Sequence, residues 1–250
     1  MSQSSLQTSH TPEAIRQRLR MGVKHSYLKD FIYGAIDGTV TTFAVVSGVA
    51  GAQLSAKIIL ILGIANLIGD GFSMAVSNFL GTRAEEQMRK KARQEEETHI
   101  MEFPEGEKEE IRQIFKAKGF QGADLEKIIK VITSDPKQWV DTMLQEELGL
   151  PLSGPSPVKA GLSTFMAFVL IGLIPLLPFI VGFFDPHYAY NSFIISVCLT
   201  AVAFFIVGAL KSSYVDQNWI WSGLETLFAG GCAAVLAYGA GFYLKDIIGG

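Results

Sequence analysis

Two groups of side chains in this sequence have the types and the spacing to hold a divalent cation. In IANLIGDGFSMAVSNFLGTRAEEQ, residues 64–87, Asn66, Asp70 and Met74 recur at every fourth residue, so a helix sets an amide oxygen, a carboxylate and a thioether on one face. Ser73 and Ser77 lie beside that stripe, and Leu67, Ile68, Phe72, Ala75, Val76 and Phe79 fill the rest of the circumference. The preceding apolar stretch repeats the spacing with Tyr33, Asp37 and Thr41. Further on, Glu96 and His99 stand at i, i+3, as do Glu107 and Glu110, while Met143 and Glu147 stand at i, i+4. Each pair meets on one helix face. Carboxylate, imidazole and thioether together suit a divalent first-row metal of borderline softness better than magnesium or calcium, which take oxygen alone. No Gly-rich phosphate loop accompanies them, so no nucleotide is implied, and no nucleic acid is expected among the partners.

Each signal also has a plainer explanation. Gly34 and Gly38 form a small-xxx-small pair that permits close helix approach, and Asp37 then needs only a hydrogen-bonding neighbour. Glu105 and Glu107 in a first helical turn complement the helix dipole, and the alternating charges from Glu85 onward describe a solvated face. Repetition favours a site over these readings. Two adjacent apolar stretches carry one carboxylate each, and three helices between residues 96 and 147 carry one candidate ligand pair each.

The elements that must position these residues follow from hydropathy. Of the 250 residues 49% are hydrophobic and 18% charged, and the apolar ones fall in five blocks, 31–52, 58–80, 161–184, 192–210 and 220–244. At about 1.5 Å rise per residue each block crosses a hydrocarbon core of about 30 Å. Five wholly apolar helices inside a soluble protein would need water-facing helices to cover them, and the chain has too few. Asp37 lies about two turns inside the first span, where an ionisable group costs about 3 kcal/mol on insertion scales and marks an ion pathway. Sixteen of the 24 acidic residues fall between Gly81 and Ser156, which makes that segment the polar part of the chain.

Lys and Arg set the expected orientation. Arg16, Arg18, Arg20, Lys24 and Lys29 precede the first span, and a dozen more lie from Arg83 to Lys137, against only Lys57 and Lys245 on the other side. The positive-inside rule then puts the N-terminus and the long segment in the cytoplasm and, with five crossings, the C-terminus outside or in a lumen. Trp219 and Trp221 fit an interfacial belt at the start of the last span. The polar start, MSQSSLQTSHTPEAIRQRLR, lacks the apolar core of a secretory signal, so no cleavage is expected. Residues 12–29 read as a basic amphipathic helix with Ile15, Leu19 and Val23 on one side. Cys198 and Cys232 sit in different spans and are expected to be packing residues.

Helix punctuation divides the long segment. Pro104 ends the helix that continues from the second span, ADLEKIIKVITS forms an apolar stripe through Leu125, Ile128, Ile129 and Ile132, and Asp135 with Pro136 opens a last helix that ends at Gly149. Pro175 and Pro178 are expected to interrupt the third span, and Glu225, near the start of the fifth, to reach toward headgroups. The fold class expected is all-α: a polytopic membrane protein with five transmembrane helices and a cytoplasmic helical metal-binding domain between spans two and three. Its parts are a tail and amphipathic helix at 1–29, spans one and two at 30–80, the metal-binding domain at 81–157 and spans three to five at 158–250.

YGAIDGTVTTFAVVSG in the first span, DGFSMAVSNFLG and RAEEQ around the second, DPKQWVDTMLQEELGL before the linker and GLIPLLPF in the third, in that order, resemble the vacuolar iron transporter family over nearly the whole chain. The resemblance implies a homodimer with the ion path near its two-fold axis and export of Fe²⁺ from the cytoplasm in exchange for protons. By matching motif, Asp37 and Met74 become path ligands, and Glu107, Glu110, Met143 and Glu147 cytoplasmic metal ligands, with Glu96 in the same group. His99 departs from the Glu-x-x-Glu of the plant members. Asn66 departs as well, standing where those members have a glutamate, while Asp70 lies one turn further on.

The expected function is a transporter, not an enzyme, carrying Fe²⁺ and also Mn²⁺, with Asp37, Asn66, Asp70 and Met74 as its path and no catalytic cofactor. The expected membrane is the vacuolar one in a eukaryote and the cell inner membrane in a prokaryote. A membrane-anchored ferroxidase or iron store built on the carboxylate and His cluster is the alternative, and it leaves Asp37, Asp70 and Met74 without a purpose. A scaffold whose acidic segment binds a protein partner is a third reading, which predicts no metal binding.

Overall fold

The computed structural model describes residues 10–21, 25–215 and 217–248, and every regular element among them is helical. In chain order these are α1 (Pro12–Met21), α2 (Leu28–Gly51), α3 (Ala56–Glu102), α4 (Pro104–Ala117), α5 (Gly122–Thr133) and α6 (Pro136–Glu146). Then follow α7 (Pro157–Gly172), a 3₁₀ turn at Ile174–Leu176, α8 (Leu177–Phe184), the short α9 (Pro186–Ala189), α10 (Ser192–Val215) and α11 (Trp219–Ile248). Five stretches are long and apolar enough to span a bilayer: α2, α3, α7 through α8, α10 and α11. Val23 and Lys24 of the expected N-terminal helix lie outside the described residues, and Leu19 on α1 is exposed.

The chain divides into two compact units, residues 27–83 with 156–250 and residues 1–26 with 84–155. In the first, α2 packs against α7, α10 and α11 around Val46, Phe168, Leu176 and Phe204. Gly34 and Gly38 make the α2–α7 approach possible. A Cβ at Gly34 would lie 2.3 Å from the Thr164 carbonyl oxygen, and one at Gly38 would lie 2.4 Å from that of Phe168. The third span breaks where its prolines predict, since neither ring nitrogen can donate to the preceding turn. The Ser196 hydroxyl donates to the Pro175 carbonyl at 2.6 Å and that of Ser192 to the Pro178 carbonyl at 3.1 Å, so α10 satisfies backbone left open at the break.

Large apolar side chains remain uncovered on this unit, among them Ile61, Ile68 and Phe72 on α3 and Phe228, Val235 and Leu236 on α11. Cys198 and Cys232 are exposed as well, which corrects the expectation that they pack inside: their helices turn those faces outward, and both thiols are free. Glu225 does not simply reach for headgroups, because Lys211 pairs with it at 2.8 Å.

In the second unit α4, α5 and α6 pack around Ile111, Leu125, Ile129, Ile132, Trp139 and Met143. Ala92 on α3 meets Val140 and Leu144 on α6, and Arg93 pairs with Asp141 beside them. Asp135 caps α6 by accepting from the Lys137 amide at 2.9 Å. The helix stops three residues before Gly149, whose φ of 62° lets the chain turn back so that the Leu150 amide reaches the Leu144 carbonyl.

Candidate metal centre and ion path

Glu96 and His99 lie on the last two turns of α3, and Pro104 reverses the chain so that α4 brings Glu107 back to them. Ligand atoms of Glu96, His99 and Glu107 all lie within 4.8 Å of one another. The two glutamates of the first turn of α4 separate by direction. Glu105 points outward to Lys108 at 2.7 Å, whereas Glu107 is 5% exposed, so the helix dipole accounts for the first and not the second. Glu96 is 4% exposed, and Oε2 of both buried glutamates has no hydrogen-bond partner among the described residues. Two buried carboxylates with open lone pairs beside an imidazole are a donor set of the kind that suits a divalent first-row cation.

Electrostatics agree with that. Burial pushes the Glu107 carboxyl up to about 7, with Glu110, Glu96 and Glu147 adding repulsion and His99 opposing it. Glu96 is raised by burial and by Glu110, again against His99. Glu147 is raised by burial, then by Glu110 and Glu96, against His99. Five of the six expected ligands thus influence one another electrostatically, and three of them bring ligand atoms together. His99 Nδ1 stands 3.7 Å from Glu107 Oε1 with its ring half exposed. Met143, one turn before Glu147, is wholly buried and belongs to the apolar cluster of α4, α5 and α6.

The other stripe lies in the spanning unit. Asp37 on α2 and Asn66, Asp70 and Met74 on α3 are all half-buried, and Met74 packs on the apolar core. The Asn66 amide donates to Thr41 Oγ1 at 3.1 Å, and the Thr41 hydroxyl donates to the Asp37 carbonyl at 2.9 Å. A second interhelical bond, from the Asn78 amide to Asp30 Oδ1 at 2.8 Å, lies toward the other end of the same two helices. Because α2 and α3 run antiparallel through a turn at residues 52–55, these two bonds fix their register. Residue 37 then falls opposite residue 70 or 71, and the Asp37 and Asp70 carboxylates interact electrostatically. Asp30, Asn78 and Thr41 were not among the expected path residues. Their only signal in the sequence is continuation of the two stripes, seven residues before Asp37 and four after it, and four after Met74.

A model of the VIT family matches residues 28–242. The vacuolar iron transporter of Toxoplasma gondii (strain ATCC 50861 / VEG) is 35% identical over 229 residues, 89% of this chain and 76% of that protein. Vacuolar iron transporter 1 of Arabidopsis thaliana is 32% identical over 214 residues, 84% of this chain and 83% of its own length. The vacuolar iron transporter of Plasmodium berghei (strain Anka) is 31% identical over 225 residues, 88% of this chain and 82% of that protein.

Proposed function

This chain belongs to the VIT family, and from that premise we propose that it exports Fe²⁺, and also Mn²⁺, from the cytoplasm in exchange for protons. Membership makes it a membrane transporter of a metal ion rather than an enzyme. The finer reading rests chiefly on one observation: the register set by the bonds from Asn66 to Thr41 and from Asn78 to Asp30 brings Asp37 and Asp70 to one level of two apolar helices. A divalent cation between them is neutralised by the pair, and a proton arriving from the more acidic side competes for the same oxygens. Met74, one turn from Asp70, adds a soft donor that favours iron over harder ions.

Glu96, His99, Glu107, Glu110, Met143 and Glu147 gather the metal on the cytoplasmic side, the side that the Lys and Arg distribution gives the segment 84–155. The metal leaves into the vacuole, as the relatives' names indicate for a eukaryotic cell, or across the inner membrane of a prokaryotic one. A homodimer is supported by α3. Ala65, Gly69, Ser73, Ser77 and Gly81 recur every fourth residue, all exposed, with open space beside Gly69 and Gly81, so two copies can approach along this stripe next to Asp70 and Met74.

Purified protein in liposomes with an acidic interior should take up Fe²⁺ without ATP while the interior loses protons. Flux indifferent to the pH gradient removes exchange from the proposal. Oxygen consumption on adding Fe²⁺, with no flux, would put the membrane-anchored ferroxidase first. Competition among Fe²⁺, Mn²⁺, Co²⁺ and Zn²⁺ for uptake assigns the preferred metal.

A further inference from the structure

The bond between Asp30 and Asn78 belongs to a larger contact among three spanning elements. The Asn78 amide donates to Asp30 Oδ1 at 2.8 Å and to Thr164 Oγ1 at 2.7 Å, and the Thr82 hydroxyl reaches Asn78 Oδ1 at 3.4 Å. Thr164 is 1% exposed and is itself fixed by donating to the Ala160 carbonyl on α7. Asp30 is therefore held from α3 and α7 as well as by its own helix, half-buried, at the N-terminal end of α2. Among the described residues no cation pairs with it and no donor reaches its Oδ2. The adjacent Lys29 lies over the Tyr33 ring instead, 5.6 Å from its centroid.

A carboxylate in a first helical turn complements the helix dipole, but that role does not require fixing by two other helices. Position supplies the better account. Asp30 precedes Asp37 by seven residues, two helical turns, and so shares its face, while Asn78 follows Met74 by one turn on the stripe of Asn66, Asp70 and Met74. The contact is the next rung of the ion path toward the N-terminal end of α2. We propose that Asp30 is a third binding carboxylate of this path, the one at its cytoplasmic mouth, taking the divalent cation through Oδ2 before it reaches Asp37 and Asp70. Asn78 and Thr164 are positioning residues that hold it there. This rests on the transport reading above.

Initial rates of Fe²⁺ uptake into liposomes, measured over a range of Fe²⁺ concentrations, test it. Asp30→Asn keeps an oxygen for Asn78 to donate to, so the helices stay joined while the charge is lost. The KM should rise at least about tenfold, the low end of what a focused charge adds to capture, with maximal rate and melting temperature unchanged. Asp30→Glu should return KM toward the wild-type value, and Asn78→Ala should raise it less than Asp30→Asn does. Asp30→Asn with a wild-type KM, whether or not its melting temperature falls, makes Asp30 a strap between helices and overturns the proposal. So does Asp30→Glu with a KM as high as that of Asp30→Asn. Wild-type protein without Fe²⁺ flux would instead remove the transport reading itself.

Discussion

The cluster of the 84–155 unit and the stripe of the spanning unit use similar donors in opposite ways. In the cluster, the buried Glu96 and Glu107 lie close together with open oxygens, and the exposed Glu110 and Glu147 add negative charge around them. In the stripe, carboxylates stand singly on antiparallel helices, and the amides of Asn66 and Asn78 join those helices by hydrogen bonds. Crowded acids repel until a cation arrives, which makes for tight capture. In the proposed path, spaced single donors would hold a cation only in passing, since each site must release what it binds.

The largest effect should come from the stripe, and it tests whether passage depends on one pair. Asp70→Asn keeps the shape but removes a charge opposite Asp37, so flux should fall by about a hundredfold, the upper range for losing a group at a metal site. The residual flux should lose its pH dependence. Unchanged rate and pH profile would make Asp70 a packing residue.

Removing the capture side should cost less. Glu107→Ala combined with Glu110→Ala should abolish metal binding by the cluster yet slow transport by only about tenfold, since the path ligands remain. Equilibrium metal binding to the full-length double variant, equal to wild type, would reduce these glutamates to a helix start and end the contrast.

A pH series sharpens the contrast without mutation. The Glu107 carboxyl in the folded chain, at about 7, lies above its value in the unfolded chain, so the folded state keeps a proton that the unfolded state has already released. That stabilisation is complete below the ordinary carboxylate range and is lost as pH rises through about 7. Metal-free protein should therefore melt at lower temperature at pH 8 than at pH 5.5, by about 2 to 4 °C for each kcal/mol lost. Saturating metal should cancel the trend, and Glu107→Gln should flatten it. A melting temperature that rises over the same interval would contradict the crowding of these acids.

Two smaller effects concern single donors of the path. Met74→Leu preserves volume, so it should weaken Fe²⁺ uptake several-fold more than Mn²⁺ uptake; equal losses would assign Met74 to packing alone. Asn66→Ala deletes one interhelical hydrogen bond, worth about 1 kcal/mol, and should reduce flux by about fivefold. A loss as large as that of Asp70→Asn would show Asn66 to be a ligand equal to the carboxylates.

Properties carried by neighbouring residues were determined by the sequence itself. Hydropathy over about twenty residues fixes the five spans, the missing donors of Pro104, Pro175 and Pro178 fix where helices stop, and Asp135 before Pro136 fixes where α6 starts. Helical spacing likewise puts Asn66, Asp70 and Met74 on one stripe. Contacts between distant residues were decided only in three dimensions. Asn78 and Thr164 are 86 positions apart, and nothing local says that they share Asp30. Glu105 and Glu107 have equal claims in one helical turn until packing turns one outward and buries the other. Met143 is buried among apolar side chains of other helices, which its own spacing does not announce, while Cys198 and Cys232 sit in apolar helices on faces that nothing among the described residues covers. Periodicity assigns a side chain to a face of its own helix, but which face is covered, and by what, depends on the helices that pack against it.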